Sequence, residues 1–318
     1  MGFFLLNIPL SLYLIKVEWY YLNIEGIDMK LVKTLTILSI GFLLASCTPS
    51  SGGGKKHRSS GGGDSDSSFS PSTSGDDPSG DYYAAIDDSM MGDTLKNKLY
   101  EIIHPAKAKS DYDAIWSNYL LYSDVTHPEY SPKEGHKAST DITAFYRGTV
   151  GSRDQMNKEH VWPNSRGGSY IEGDPHMVRP TLKADNTARG NSFYVEGKDT
   201  EHDGWDPKAA GMTENYRGDC ARIIFYCAVQ EKDHLTLIDE ESDATSNNTM
   251  GKLSDLLRWN LNYQVQDREK LRNNILNGVV TSYDHQFNLN RNPFIDHPEY
   301  ACRIWGGTNS TTKQICGM

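Results

Sequence analysis

Apolar side chains along this chain recur with helical spacing in some segments and with short-strand spacing in others. Between Tyr82 and Tyr122, Leu95, Leu99, Ile102 and Ile103, then Tyr112, Ile115, Trp116, Tyr119 and Leu120, sit at amphipathic positions and predict helix. Ser123–Asp154 is polar and turn-rich, with a strand expected over Ile142–Tyr146. Lys158–Trp162 is a short mixed run stopped by Pro163, and Met177–Val178 is a second short strand closed by Pro180. Thr181 then caps a helix through Lys183, Ala184 and Ala188 that stops at Gly190. Further helices are expected over Cys220–Gln230, Met250–Leu261 and Gln266–Leu276, with Glu196–Asn215 and Asn290–Pro298 as loops. The fold class is α+β: a mixed, helix-rich single domain over residues 82–318.

Ahead of Tyr82 the pattern changes. Met29-Lys30-Leu31-Val32-Lys33, followed by the apolar run Leu35–Ala45, reads as the basic and apolar regions of a signal peptide. It ends Leu44-Ala45-Ser46-Cys47, similar to a bacterial lipobox, so residues 29–47 are expected to be a lipoprotein signal peptide with Cys47 lipidated. Residues 1–28 fit badly ahead of such a segment and are expected to be a mis-assigned extension, Met29 being the start. N-terminal sequencing that finds the upstream residues decides against this. Residues 48–81 are Gly, Ser, Asp and Pro with almost nothing apolar, a flexible tether unable to bury enough surface to fold. The expected address is an exported lipoprotein, membrane-anchored on the periplasmic or cell-surface face, and monomeric.

Composition narrows the picture. At 318 residues the chain is long enough for a sizeable core. Its net charge of −10 excludes a generally basic nucleic-acid-binding protein, so any polyanion groove must be local. Four cysteines follow Cys47 and allow three pairings. Cys220 and Cys227 lie on one predicted helix, about 10 Å apart along its axis, too far to bond each other. The expected disulfide is Cys302–Cys316, pinning the C-terminal tail.

The densest chemistry lies in Glu159–Asn191, which holds two histidines, four carboxylates, Asn186 and three arginines. A neutral histidine is the usual general base near pH 7. Glu159 and Asn186 offer the oxygen donors a hard cation such as Mg²⁺ prefers, and so few protein ligands leave room for water and a substrate phosphate. A base, an open hard-metal site and nearby arginines together describe phosphodiester hydrolysis. Neighbours on a regular strand point to opposite faces. Glu159 and His160 therefore share a site only if the chain bends there, or if His160 acts on water without being a ligand. Neither Cys-x-x-Cys nor His-Glu-x-x-His occurs, which counts against zinc. Two other classes stay open: a zinc-dependent hydrolase using His160, His176 and Asp174, and a surface lipoprotein that binds nucleic acid or glycan without cleaving it.

Several short runs carry a specific combined resemblance. Glu159-His160-Val161-Trp162-Pro163, Asp174-Pro175-His176 with Arg179-Pro180, and Asn186 with Arg189-Gly190-Asn191 resemble the bacterial endonuclease I family. Arg217-Gly218-Asp219 with Ala221-Arg222, and Asn290–Pro298, extend the similarity over Tyr82–Tyr300. The resemblance implies a ββα-metal (His-Me finger) core. It implies His160 as general base, Glu159 and Asn186 as magnesium ligands (with Mn or Ca as substitutes), and Arg166 with Arg189 at the scissile phosphate. Arg179, Arg217, Arg222 and Arg291 are expected to contact nucleic acid, and Asp174, His176 and Asn191 to support the site. The implied activity is a largely sequence-nonspecific endonuclease that leaves 5′-phosphate ends on DNA, RNA or both. Met177-Val178, where the family more often has Asn-Leu, and Pro175 depart from the pattern at the position of His176.

Overall fold

A computed structural model describes residues 15–24, 27–37, 82–200, 204–240 and 248–318. The chain divides into two units, residues 1–71 and 72–318. In the first, β1 (Ile15–Ile24) pairs with β2 (Ile27–Ile37) as an antiparallel ribbon. The expected signal peptide overlaps β2, while Cys47 and the tether lie outside the described residues. No helix among the described residues is long and apolar enough to cross a membrane.

The second unit mixes helices with small two-stranded sheets. It begins with α1 (Gly92–Ile103), α2 (Leu121–Ser123) and the pair β3 (Ile142–Thr143) and β4 (Val150–Gly151). Next come β5 (Met156–His160), β6 (Val178–Leu182) and α3 (Lys183–Arg189). The pair β7 (Asp199–Thr200) and β8 (Gly204–Trp205) leads to α4 (Tyr216–Gln230), then β9 (Thr236–Leu237) and β10 (Thr249–Met250). The chain closes with α5 (Leu253–Asn262), α6 (Asp267–Leu276), α7 (Pro293–Asp296), α8 (Tyr300–Trp305) and α9 (Ser310–Cys316).

Every residue of α4 is buried, so this helix is the axis of the core. It packs against α5, α1 and α7, and Phe225 stacks on Trp305 of α8 at 4.9 Å. Cys302 and Cys316 form the expected disulfide, which ties α8 to α9, and Cys220 and Cys227 are buried free thiols.

Three local expectations are corrected. The helix expected over Tyr82–Tyr122 breaks after Ile103, where Pro105 cannot continue the backbone ladder, and resumes as a π-helical turn at Trp116–Leu120. The second site strand does not close at Pro180 but runs on to Leu182. A two-stranded sheet consists only of edges, and there a proline's missing N–H is tolerated. Thr181 is consequently a strand residue paired with Asn157, and α3 starts from Leu182 without a side-chain cap.

Candidate active site

β5 and β6 pair antiparallel in unbroken register from Met156–Leu182 to His160–Val178, and α3 follows β6 with no connecting residue. Alternation along β5 turns Glu159 inward, where it is 1 % exposed, and puts Lys158 and His160 together on the opposite face. Both faces nevertheless border one cleft, because it lies at the end of the strand. The cleft encloses about 290 Å³ and is lined by Tyr112, Lys158, Glu159, His160, Pro163, Asn164, Asn186, Arg189, Gly190 and Asn191. The structure therefore brings Glu159, His160, Asn186, Arg189 and Asn191 together around one space.

The electrostatics of that space follow from burial. Tyr146 donates a 2.7 Å hydrogen bond to Glu159 Oε1, and Arg189 Nε lies 3.5 Å from the same oxygen. Burial pushes the Glu159 carboxyl up to about 7, against the opposing pull of Arg189 and Tyr146. Burial also drives His160 down to about 4, helped by the positive charges of Arg189 and Lys158, so its imidazole is neutral at neutral pH. Arg189 is buried beneath the cleft and donates to the carbonyls of His160, Val161 and Gly190. That places it as a brace for the end of β5.

Tyr146 and Tyr194 stand directly behind the cleft and were not among the expected site residues. Their hydroxyls lie 3.0 Å apart, and Arg189 sits 5.0 Å over the Tyr194 ring. Tyr146 adopts φ +72°, a region that a bulky residue occupies only under strain held by its surroundings.

Other expected residues lie elsewhere. Arg166 is buried, donates to the Asn191 carbonyl and packs 4.5 Å over Phe193, so it supports the cleft rim from behind. The four arginines expected at nucleic acid are inside the molecule. Arg179 binds Asp124, Arg217 binds Asp206, Arg222 binds both oxygens of Glu269, and Arg291 binds both oxygens of Asp296. A buried charge must be paired, and these pairs account for the guanidiniums without a groove. Asp174 and His176 form a separate buried hub. Asp174 accepts from the His176 amide and the Tyr226 hydroxyl, and His176 Nε2 meets the Asn290 carbonyl at 2.9 Å. Burial lifts Asp174 to about 6 and lowers His176 to about 3. Neither joins His160, and among the described residues no three His, Cys, Asp or Glu side chains converge as a metal cluster.

A hard divalent cation fits the cleft on chemical grounds. Among the described residues no hydrogen bond reaches Glu159 Oε2 or the Asn186 carboxamide, so both retain free oxygen donors on the same space.

A neutral imidazole beside uncommitted oxygen donors is an arrangement compatible with hydrolytic chemistry. The chain belongs to the endonuclease I family, whose model matches residues 91–299, and it is accordingly a nuclease. It is 35 % identical over 248 residues to an extracellular ribonuclease of Bacillus amyloliquefaciens, covering 72 % of this chain and 80 % of the relative. It is 33 % identical over 249 residues to an extracellular ribonuclease of Bacillus subtilis (strain 168), covering 70 % and 78 % respectively. No solved structure matches the chain.

Proposed function

We propose that this nuclease is an exported, magnesium-dependent endonuclease with little base specificity that cuts RNA, accepts DNA and leaves 5′-phosphate ends. RNA is put first because both curated relatives are named extracellular ribonucleases, and those names also support export. The observation that carries the reading is the shared cleft of His160, Glu159 and Asn186.

In this reading β5, β6 and α3 act as the ββα-metal core. Glu159 and Asn186 would hold the cation, which would supply stabilisation of the negative charge that builds during phosphodiester hydrolysis. His160 takes the proton from the attacking water. Its Nε2 is buried without a partner, which leaves Nδ1 to meet that water. Arg189 keeps the His160 carbonyl in place, and Tyr146 orients the Glu159 carboxylate. Because the reacting atoms belong to the backbone phosphate, base identity matters little. A lipid on Cys47 would tether the enzyme to its membrane; radiolabelled fatty acid incorporation, lost in Cys47→Ser, checks that arm.

The decisive assay incubates the protein with plasmid and with total RNA, in Mg²⁺ or EDTA. Magnesium-dependent degradation that His160→Ala abolishes supports the reading. Activity with zinc but not magnesium, or retention of nucleic acid without cleavage, overturns it.

A further inference from the structure

The imidazole of His160 is held by packing. Nε2 is buried with no hydrogen-bond partner, and no hydrogen bond from the described residues reaches the ring. A general base must keep one orientation toward the proton it removes, so something else must fix this ring. The ring it meets is Tyr112, whose centroid lies 4.6 Å from that of His160 with the planes 32° apart. Tyr112 comes from a segment remote in sequence, between α1 and the π-helical turn, yet it lines the same cleft.

Tyr112 is itself anchored from three sides. Lys158, on the same face of β5 as His160, places its ammonium 3.4 Å from the Tyr112 ring centroid and donates to the Tyr112 carbonyl at 2.7 Å. Asp111 accepts from the Ala114 amide at 2.7 Å and closes the turn that carries Tyr112. The Ser110 carbonyl presses on Gly173 so closely that a Cβ there would meet it at 1.8 Å. The segment is thus docked against the loop between β5 and β6, and its ring lies across the base.

We propose that Tyr112 is the positioning residue for His160: its ring face, clamped by Lys158, holds the imidazole in the orientation that proton abstraction needs. The phenol hydroxyl has no part in this. The inference rests on the reading of His160 as base, and its test separates the two.

The test measures kcat and KM of the full chain on a fluorogenic RNA oligonucleotide at saturating Mg²⁺, for wild type, Tyr112→Ala, Tyr112→Phe and His160→Ala. The expected result is a fall in kcat of about tenfold in Tyr112→Ala at unchanged KM, with Tyr112→Phe within about twofold of wild type. The nitrogen-15 spectrum of the His160 ring should show one environment in wild type and Tyr112→Phe, and broadened signals in Tyr112→Ala. A wild-type kcat in Tyr112→Ala overturns the proposal. So does a rise in KM alone, which would make Tyr112 a substrate contact, or an equal loss in Tyr112→Phe, which would make the hydroxyl the active group. An unfolded Tyr112→Ala leaves the ring spectrum and kcat of Tyr112→Leu, which keeps apolar bulk without a flat face, to decide by the same criteria. If His160→Ala stays active, the reading of the base fails and Tyr112 falls with it. If His160→Ala is dead and Tyr112→Ala unchanged, only the positioning role is lost.

Discussion

Around α4, Arg222 gives two nitrogens to Glu269 and a third to the Tyr263 carbonyl, and Arg217 and Arg291 are held in like manner by Asp206 and Asp296. At the end of β5, equally polar groups are left open: the His160 ring, Glu159 Oε2 and the Asn186 carboxamide accept nothing from the described residues. Both regions are built from the same kinds of side chain. In the belt around α4 these arginines each have a carboxylate partner, which is the condition for keeping charge away from water, although single atoms such as Arg291 Nη1 and Gln230 Oε1 go unbonded. In the cleft the matching is incomplete, and such incompleteness persists where a ligand or a reaction completes it. Stability should therefore respond to the belt and turnover to the cleft.

The largest effect is expected at the base. His160→Ala should lower kcat by about 10²–10⁴-fold, the scale of general-base catalysis, while its denaturant midpoint stays near wild type. A loss of stability without a loss of specific activity would reverse the contrast. Arg222→Met should do the opposite. It strands the carboxylate of Glu269, so urea unfolding should show a loss of about 3–5 kcal/mol with specific activity of the folded fraction unchanged.

A smaller effect is expected at the Asp174–His176 hub, where the two titrations oppose each other. Asp174 is raised from 3.8 to about 6 by burial, so its stabilising contribution is complete below 3.8 and disappears as pH rises through 6. His176 is lowered from 6.5 to about 3, so its contribution is complete above 6.5 and disappears as pH falls toward 3. Asp174→Asn leaves only the second. Between pH 6.5 and about 4 the variant's unfolding free energy should fall by about 1–3 kcal/mol more than that of wild type. Parallel pH profiles would show that the hub does not titrate as a buried pair.

Tyr146→Phe removes the hydroxyl from Glu159 Oε1 and should raise the Mg²⁺ concentration for half-maximal rate about tenfold, with kcat at saturation nearly kept. The smallest effect is in salt dependence. Among the described residues, Lys158 and Arg189 bring the positive charge to the cleft lining, so the logarithm of KM for single-stranded RNA should change with the logarithm of salt with a slope of magnitude about 1.4. A much steeper slope would reveal cations outside the cleft.

The candidate site was legible where its parts are contiguous in sequence. Glu159-His160, Asn186 and Arg189-Gly190-Asn191 belong to a strand end and a short helix that pack directly together, so order and spacing carried them. Tyr112 reads in sequence only as an amphipathic core position yet lines the cleft, and Tyr146 and Tyr194 stand behind it against Glu159 and Arg189, contacts that no local spacing announces. The arginines were legible as charges but not as partners, since Arg222 finds Glu269 across 47 residues and Arg217 finds Asp206 through tertiary packing. Thr181 has the chemistry of a helix cap, yet pairing with Asn157 in the strand ladder outweighs that local preference. Pro105 breaks the first helical stretch, a local signal that the amphipathic reading of Tyr82–Tyr122 passed over.

The most direct test of the account is the magnesium dependence of RNA cleavage in wild type and in Asn186→Ala, followed from EDTA to millimolar Mg²⁺. The account predicts no cleavage in EDTA, recovery on adding Mg²⁺, and a half-maximal concentration at least about tenfold higher in Asn186→Ala. Cleavage in EDTA, or the same magnesium requirement in both proteins, would contradict the claim that Glu159 and Asn186 hold one cation beside His160.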